Sequence, residues 1–266
     1  MRLLRVGRIS ALNMYPIYHG LERAADPHLV FTDGLPTTLN RALLAGDLDV
    51  SAMSSIAFAR NARDLRLVPV ASITAQGAVD SIQLFSRVPI ERVRSVAVTP
   101  HSATSVALLR ILLGPSVPPF TILDEPPERA LRRHDGVLLI ADEALRGLRE
   151  PFAAHHADLA ELWNARTGHP MVFAVWAARA DSARERPEAL AALAALLREA
   201  RAAYLDDPEA VVAAAARRFP FPADFIRDYL RRLRYEFGDA ERAGLAAFLA
   251  AARAGGELDD VPSLAA

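Results

Sequence analysis

The sequence predicts an α/β protein with two lobes and a central cleft, and three observations carry this prediction. Up to about residue 180, short apolar runs alternate with helical segments, as where LLRVGRIS is followed by NMYPIYHGLERA. After Asp181, four expected helices follow one another, namely PEALAALAALLREARAAYLDD, PEAVVAAAARRF, PADFIRDYLRRLRYEF and DAERAGLAAFLAAARAG. Two apolar stretches, SIQLFSR and MVFAVWAARA, bracket a middle block. The alternation predicts parallel sheets covered by helices, and an inserted block reached by two strands is typical of hinged, two-lobe binding proteins.

Hydrophobic periodicity, together with capping and turn residues, predicts the individual strands and helices. The expected strands are LLRVGRIS, HLVFTDG, DLDVSAM, LRLVPVASITA, SIQLFSR, VAVTP, HDGVLLIAD and MVFAVWAARA. The helix TTLNRALLAG is expected to begin with Thr37 or Thr38 as its cap and to end before Gly46. The segment HHAD is expected to be a solvated loop, because two adjacent histidines seldom point together toward a metal.

The two bracketing stretches also predict the division into lobes. Residues 1–87 and 175–266 are expected to form one discontinuous α/β lobe that includes the C-terminal helices. Residues 88–174 are expected to form the inserted α/β lobe. In such an arrangement a ligand binds in the cleft, where strand ends and helix starts converge.

Composition excludes several kinds of chemistry. The 266 residues include no cysteine, which excludes disulfides, thiolate metal sites and thiol nucleophiles. All 31 basic residues are arginine, so a lysine Schiff base and a phosphate-loop lysine are excluded as well. The net charge of −1 gives no electrostatic case for nucleic-acid binding.

The sequence gives no sign of a membrane segment. Arginines interrupt the apolar stretch near the N-terminus, and no apolar span of 18 residues is free of charge. We therefore expect no contact with a membrane and a cytoplasmic location.

Three strand-to-helix junctions have small hydroxyl or amide side chains. They are RISALNMYP, VSAMSSIAF and VAVTPHSATSVALLRILL. Free backbone N–H groups and the positive end of the helix dipole attract anions at such positions. For any one junction, helix capping explains a serine or threonine better than a ligand does. Three similar junctions make a shared anion site about as good an explanation as capping.

Other polar and aromatic residues are weaker candidates. Asp142 and Glu143 follow the buried strand GVLLIA, where they cap the next helix or face the cleft. Trp163 and Trp176 are core residues or a platform for a ligand, and core packing is the better explanation for each. His101 lies within the third junction and has no assigned role. No motif for a metal, and none for a nucleophilic serine, is present.

Several blocks in order, including RVGRISALNMYPIYHGL, SIQLFSRVPIE, VAVTPHSATSVALLRILL and FAVWAAR, resemble the chorismate dehydratase family of the futalosine route to menaquinone. The resemblance runs from about residue 4 to 180. It implies the fold of type II periplasmic binding proteins. It also implies a carbon–oxygen lyase (hydro-lyase) that converts chorismate to 3-[(1-carboxyvinyl)oxy]benzoate without a cofactor or a metal, since aromatisation drives the loss of water.

The resemblance also implies roles for individual residues. Asn13, in the SALN block, and Ser81, in the SIQLFS block, are the expected catalytic residues. An amide can orient the substrate or stabilise developing charge but cannot act as a base, so a substrate carboxylate remains one candidate for the base. Chorismate carries two carboxylates, and its expected binding residues are Ser10, Ser54, Ser55, Ser102, Thr104, Ser105, Asp142 and Trp176.

Three other functions remain open from sequence. One is the 1,4-dihydroxy-6-naphthoate synthase that acts later in the same pathway and shares the fold. Another is a non-catalytic protein that captures a small anionic solute, because a fold does not fix a function. The last is an effector-binding sensor lobe, although no helix-turn-helix with a basic face is apparent.

Overall fold

A computed structural model of the chain describes residues 3–115 and 119–264. It contains two mixed sheets, each with helices packed around it. The strands are β1 (Leu4–Ile9), β2 (Leu29–Gly34), β3 (Val50–Ser54), β4 (Leu65–Ala75), β5 (Ile82–Ser86), β6 (Val96–Val98), β7 (Thr121–Ile122), β8 (Gly136–Ile140), β9 (His155–Asp158), β10 (Met171–Arg179) and β11 (Leu233–Arg234).

Twelve α-helices and two short 3-10 helices lie between and after these strands in the described residues. The 3-10 helices are Leu12–Met14 and Ile90–Arg92. The α-helices are α1 (Tyr15–Ala24), α2 (Pro36–Ala45), α3 (Ser55–Arg60), α4 (Ala103–Leu113), α5 (Pro127–Ala130), α6 (Ala141–Arg149), α7 (Leu159–Thr167), α8 (Ala180–Glu185), α9 (Pro187–Asp206), α10 (Pro208–Ala216), α11 (Ala223–Leu230) and α12 (Asp239–Ala254).

The first sheet has the strand order β11-β4-β10-β3-β1-β2, and the second has the order β7-β6-β8-β5-β9. Strands β1, β2 and β3 are parallel, as the alternation of strands and helices predicts. The prediction of parallel sheets holds only in part, because β10 runs antiparallel to β3 and β4, and β5 runs antiparallel to β8 and β9. Each of these reversed strands lies where the chain passes between the sheets.

Sheet membership differs from the lobe boundaries expected from sequence. β5 pairs with β8 and β9 in the second sheet, although a boundary after residue 87 assigns it to the first lobe. Residues 171–174 pair with β3 or β4 in the first sheet, although a boundary before residue 175 assigns them to the inserted lobe. Both differences arise because a strand that enters or leaves a lobe is itself part of a sheet.

Local details correct three further expectations. Helix α2 begins at Pro36 and has Leu35 as its N-cap, so neither Thr37 nor Thr38 caps it. The helix begins this early because the fixed φ of proline suits the first helical position. Gly46 does end this helix, with φ of 89° in the left-handed region. The segment HHAD is strand β9, whose two histidines are exposed, and not a loop. The RRLRYEF stretch, expected to be helical, contains β11.

A large core continues from the first sheet into the second, and a smaller one lies within the second lobe. The C-terminal helix α12 packs on β10, α3 and α4, and therefore covers the region where the two lobes meet. Within the described part of the chain, no helix is both long enough and apolar enough to cross a membrane.

Candidate active site

A cavity of about 690 Å³ lies between the two sheets. The carboxyl ends of β1, β2 and β3 form one wall, and those of β6 and β8 form part of the opposite wall. Ile73 and Phe173 of the strands β4 and β10 line it as well. The cavity therefore lies where parallel strands end and helices begin, the usual place for a ligand in such sheets.

Two junctions reach the cavity from the first lobe. Ser10 and Asn13 follow β1 and both line it. Ser10 is exposed, and its Oγ donates to Asp33 Oδ1 at 3.5 Å. Ser54, at the end of β3, also lines the cavity. Its neighbour Ser55 does not, because it is fully buried and its Oγ donates to the Val172 carbonyl at 2.7 Å.

Most hydroxyl groups of the third junction make hydrogen bonds within the protein. Ser102 lines the cavity and is the N-cap of α4, with its Oγ accepting from the Ser105 N–H at 3.1 Å. Ser105 lies behind it, fully buried, and receives a hydrogen bond from the Ser102 hydroxyl at 2.8 Å. Thr104 is buried and accepts from the Ile56 N–H at 3.1 Å. Thr104 therefore supplies, from the second lobe, a hydrogen-bond acceptor for an N–H group in the first turn of α3. It does not line the cavity.

Three buried polar atoms on the cavity wall have no hydrogen-bond partner among the described residues. They are Asn13 Oδ1, Ser54 Oγ and His101 Nδ1. Buried polar atoms in native proteins nearly always have a partner, so an unpartnered group needs an explanation. The residues that carry these atoms come from three separate junctions, and all three line one cavity. A polar ligand in the cavity would supply the missing hydrogen bonds.

The second wall includes the start of α6. Ala141 has φ of 49°, which is rare for a residue with a side chain and is typical of functional turns. The next residue, Asp142, lines the cavity, and its Oδ1 accepts from the Leu12 N–H at 3.3 Å. This bond joins α6 in the second lobe to the 3-10 helix that carries Asn13. Burial raises the pKa of Asp142, and the bond to Leu12 only partly offsets that effect.

Charges around the cavity are of both signs. Asp33 is paired with Arg8 through a hydrogen bond of 2.6 Å to Nε, which lowers the pKa of this carboxyl. Glu143 is exposed to solvent. Arg146 also lines the cavity and is the one arginine among the described residues that do so. Neither Arg8 nor Arg146 was expected from sequence at the site.

Ser81 and Trp176 lie outside the cavity lining. Ser81 is buried one residue before Ile82, which does line the cavity. Its side chain neighbours the hydroxyl of Tyr229, which makes no hydrogen bond of good geometry with the described residues. Burial raises the pKa of Tyr229, and Ser81 opposes that shift. Trp176 is 1% exposed and packs against Tyr18 in the core.

Some residues at the site had little or no signal in the sequence. His101 is isolated in sequence, and only the folded chain brings it to the same cavity as Asn13 and Ser54. Arg146 follows Asp142 by four residues, a spacing that places both on one face of a helix. No group of three or more metal-ligating side chains occurs in the described parts of the chain.

The chain is similar to proteins of one known family. A family model described as menaquinone biosynthesis matches residues 4–254. The chain belongs to the menaquinone biosynthesis family. A chorismate dehydratase of Thermus thermophilus is 36% identical over 264 residues, covering 93% of this chain and 94% of its own. A chorismate dehydratase of Campylobacter jejuni is 29% identical over 175 residues, covering 63% of this chain and 64% of its own. The family expected from the sequence blocks is thereby confirmed.

Solved structures resemble this menaquinone biosynthesis family member in fold. A protein of Archaeoglobus fulgidus superimposes with a TM-score of 0.78 and 18% identity, covering 96% of this chain and 98% of its own. The periplasmic aliphatic sulphonate binding protein of Escherichia coli superimposes with a TM-score of 0.68 and 20% identity, covering 99% and 94%. The expected periplasmic-binding-protein fold is confirmed.

Proposed function

We propose that this protein is a chorismate dehydratase that removes water from chorismate to give 3-[(1-carboxyvinyl)oxy]benzoate. The observation that carries the proposal is the cavity with three unpartnered buried polar atoms in a chain of the menaquinone biosynthesis family. The two relatives named as chorismate dehydratases support the choice of substrate. The proposal includes the hydro-lyase class. It also includes a cytoplasmic location, and fractionation of cells would test that location.

The reaction removes a ring proton and the hydroxyl of the neighbouring carbon, and the ring becomes aromatic. The electron pair of the C–H bond forms the new double bond, while the C–O bond breaks and the hydroxide leaves with a proton as water. The protein's main task is then to orient the substrate and to exclude water, because aromatisation supplies the driving force.

Asn13 is proposed to orient the substrate through its side-chain amide. Asn13 lines the cavity, and its buried Oδ1 has no partner among the described residues. This oxygen can accept a hydrogen bond, such as one from a substrate hydroxyl. A substrate carboxylate held close to the ring would then take the proton. An amide has no acid–base role near neutral pH, so this assignment requires the base to come from elsewhere.

Ser81 is proposed to act from just behind the cavity wall. Its carbonyl accepts from the Ala141 N–H at 2.7 Å, which ties β5 to the turn that carries Asp142. A small movement of the lobes on binding would bring its hydroxyl to the substrate. Conformational closure of this kind is common in two-lobe proteins and is a step of many enzyme mechanisms.

Four of the expected binding residues lie on the cavity and keep their proposed role, namely Ser10, Ser54, Ser102 and Asp142. Ser55, Thr104, Ser105 and Trp176 have partners inside the protein instead, and we assign them a structural role.

The experiment that tests the proposal mixes purified protein with chorismate, without added metal or cofactor, and follows products by liquid chromatography with mass detection. A product lighter by one water, absent without protein, supports the proposal. If chorismate survives but raises the melting temperature, the protein binds without turnover and the dehydratase proposal fails. If chorismate has no effect, substrates of the later pathway enzyme are tested next.

Variants of the two proposed catalytic residues extend this test. Asn13→Ala is expected to lower kcat by about 100-fold or more, as the loss of an oriented polar group at a reacting centre does. Ser81→Ala is expected to lower kcat by about tenfold or more. Ser86→Ala is the matched control, because Ser86 lies on the same strand and its hydroxyl bonds to the Val88 carbonyl. A control that loses as much activity would contradict the assignment of Ser81.

A further inference from the structure

We propose that Arg146 binds one carboxylate of the substrate and thereby makes the cavity select dicarboxylates over monocarboxylates. This inference rests on the proposed function, and it adds a specificity-determining residue that neither the sequence blocks nor the family comparison assigns. It stands on the position of Arg146, on its free donors and on the charges that surround it.

Arg146 is placed and oriented to contact a ligand in the cavity. Arg146 lies on α6, one helical turn after Asp142, and lines the cavity. Its Nε donates to the Asp142 carbonyl at 3.2 Å, which restricts the plane of the guanidinium. Among the residues that the structure describes, no partner is found for Nη1 or Nη2. A restrained guanidinium with free terminal nitrogens is well suited to bind a carboxylate with two parallel hydrogen bonds.

The charges around the cavity favour a cation at the position of Arg146. Three carboxyl groups line the cavity, from Asp33, Asp142 and Glu143. Arg8 compensates Asp33, and the Leu12 N–H partly compensates Asp142. A substrate with two carboxylates adds two more negative charges to the same space. Helix N-termini and hydroxyls provide only partial charges, whereas the Arg146 guanidinium adds a full positive charge to the cavity wall.

The contact between the lobes places Arg146 relative to the rest of the site. Asp142 connects α6 to the 3-10 helix of the first lobe through its bond to Leu12. Asn13 directly follows Leu12 and lines the same cavity. Arg146 and Asn13 therefore act on a ligand from the two lobes, so that one group binds a carboxylate while the other positions the ring.

A comparison of ligands tests this inference by direct binding, without turnover. Isothermal titration measures the affinity for the diacid 3-[(1-carboxyvinyl)oxy]benzoate and for two monoacids. One monoacid is 3-ethoxybenzoate, which lacks the side-chain carboxylate, and the other is 2-phenoxyacrylate, which lacks the ring carboxylate. Each is titrated into the wild type, Arg146→Gln and Arg149→Gln. Arg149 is the matched control, since it lies on the same helix but stacks over Phe225 outside the cavity.

In Arg146→Gln, the diacid is expected to bind about 10- to 100-fold more weakly, the usual effect of losing charge-assisted hydrogen bonds. One of the two monoacids is expected to lose affinity similarly, and the other to change less than about twofold, because it lacks the carboxylate that Arg146 binds. Unchanged binding of the diacid overturns the inference. Similar losses for both monoacids, or in Arg149→Gln, also overturn it, since they indicate a general change of charge or structure.

The outcome is separable from the proposed function. If the wild type converts chorismate and Arg146→Gln binds the diacid normally, only the inference about Arg146 fails. If the wild type neither converts chorismate nor binds the diacid, both fail. Because Arg146 is largely exposed, Arg146→Gln is expected to fold, and its melting temperature provides the check.

Discussion

Replacing Asp49 with asparagine removes a buried charge that joins three segments of the first lobe. The Asp49 side chain is 1% exposed. Its oxygens accept from Arg5 Nη2 at 2.9 Å, Arg186 Nη1 at 2.8 Å and Ser182 Oγ at 2.9 Å, and also from the Arg5 N–H at 2.9 Å. The carboxylate thus fastens β1 and the α8 region to the start of β3.

The size of the expected effect follows from the pKa of this group. Burial alone would raise the pKa of Asp49, but the hydrogen bonds and the two arginines outweigh it and lower the pKa from 3.8 to about 2. At about 1.4 kcal/mol per pKa unit, this shift corresponds to about 2–3 kcal/mol of folding free energy at pH 7. We therefore expect Asp49→Asn to lower the free energy of unfolding by about 2–3 kcal/mol.

The pH dependence has a definite sign. Since the pKa of Asp49 is lowered in the folded state, its stabilisation is present above pH 3.8 and is lost as the pH falls toward about 2. Urea unfolding, followed by circular dichroism at pH 7 and pH 3, measures the difference between wild type and variant. That difference is expected to fall to about half at pH 3.

A matched control makes the test of Asp49 decisive. Asp47→Asn changes the same charge two residues away, at an exposed position. Equal loss of stability in the two variants at pH 7 would refute the reasoning, as would a difference that stays constant in acid. Asp49 lies at the amino end of β3 and the cavity at its carboxyl end. The affinity for the diacid is therefore expected to stay within about twofold of wild type.

Two further predictions concern packing and the contact between lobes. Thr104→Val keeps the shape of the side chain but leaves the buried Ile56 N–H without its acceptor, so urea unfolding should show a loss of about 1–3 kcal/mol; an unchanged midpoint would contradict this. Gly20→Ala places a Cβ within 2.6 Å of the Ala200 Cα, which should cost about 1–3 kcal/mol by the same assay. Ala200→Gly should recover part of that loss, and no recovery would exclude this contact as the cause.

The location of the site was predictable from sequence, whereas the identity of many of its residues was not. Parallel strands end at a common edge, so hydroxyl-rich junctions after strands indicate that edge. Ser54 and Ser55 show the limit of this reasoning. They are adjacent at the change from strand to helix, and only the fold decides that Ser54 faces the cavity while Ser55 bonds to Val172.

Long-range partners explain why other expected binding residues do not line the cavity. Thr104 has the sequence context of an anion-binding hydroxyl, but its partner, the Ile56 N–H, is 48 residues away in the chain. Trp176 lies on a strand that is buried on both faces, so its alternation gives no sign of which face meets a ligand. Contacts of this kind depend on how the two sheets meet, and no local pattern encodes that.

The hydroxyl groups that follow β6 act mainly within the protein. In the stretch after β6, Ser102, Ser105 and Thr104 are committed to capping α4 and to joining it to α3. Their hydrogen bonds therefore fix this part of the wall, and of the three only Ser102 lines the cavity. A rigid wall has a functional consequence, because polar groups that are already oriented lose little entropy when a charged ligand binds. In the proposed binding mode, Arg146 and the unpartnered atoms of Asn13, Ser54 and His101 contact the substrate.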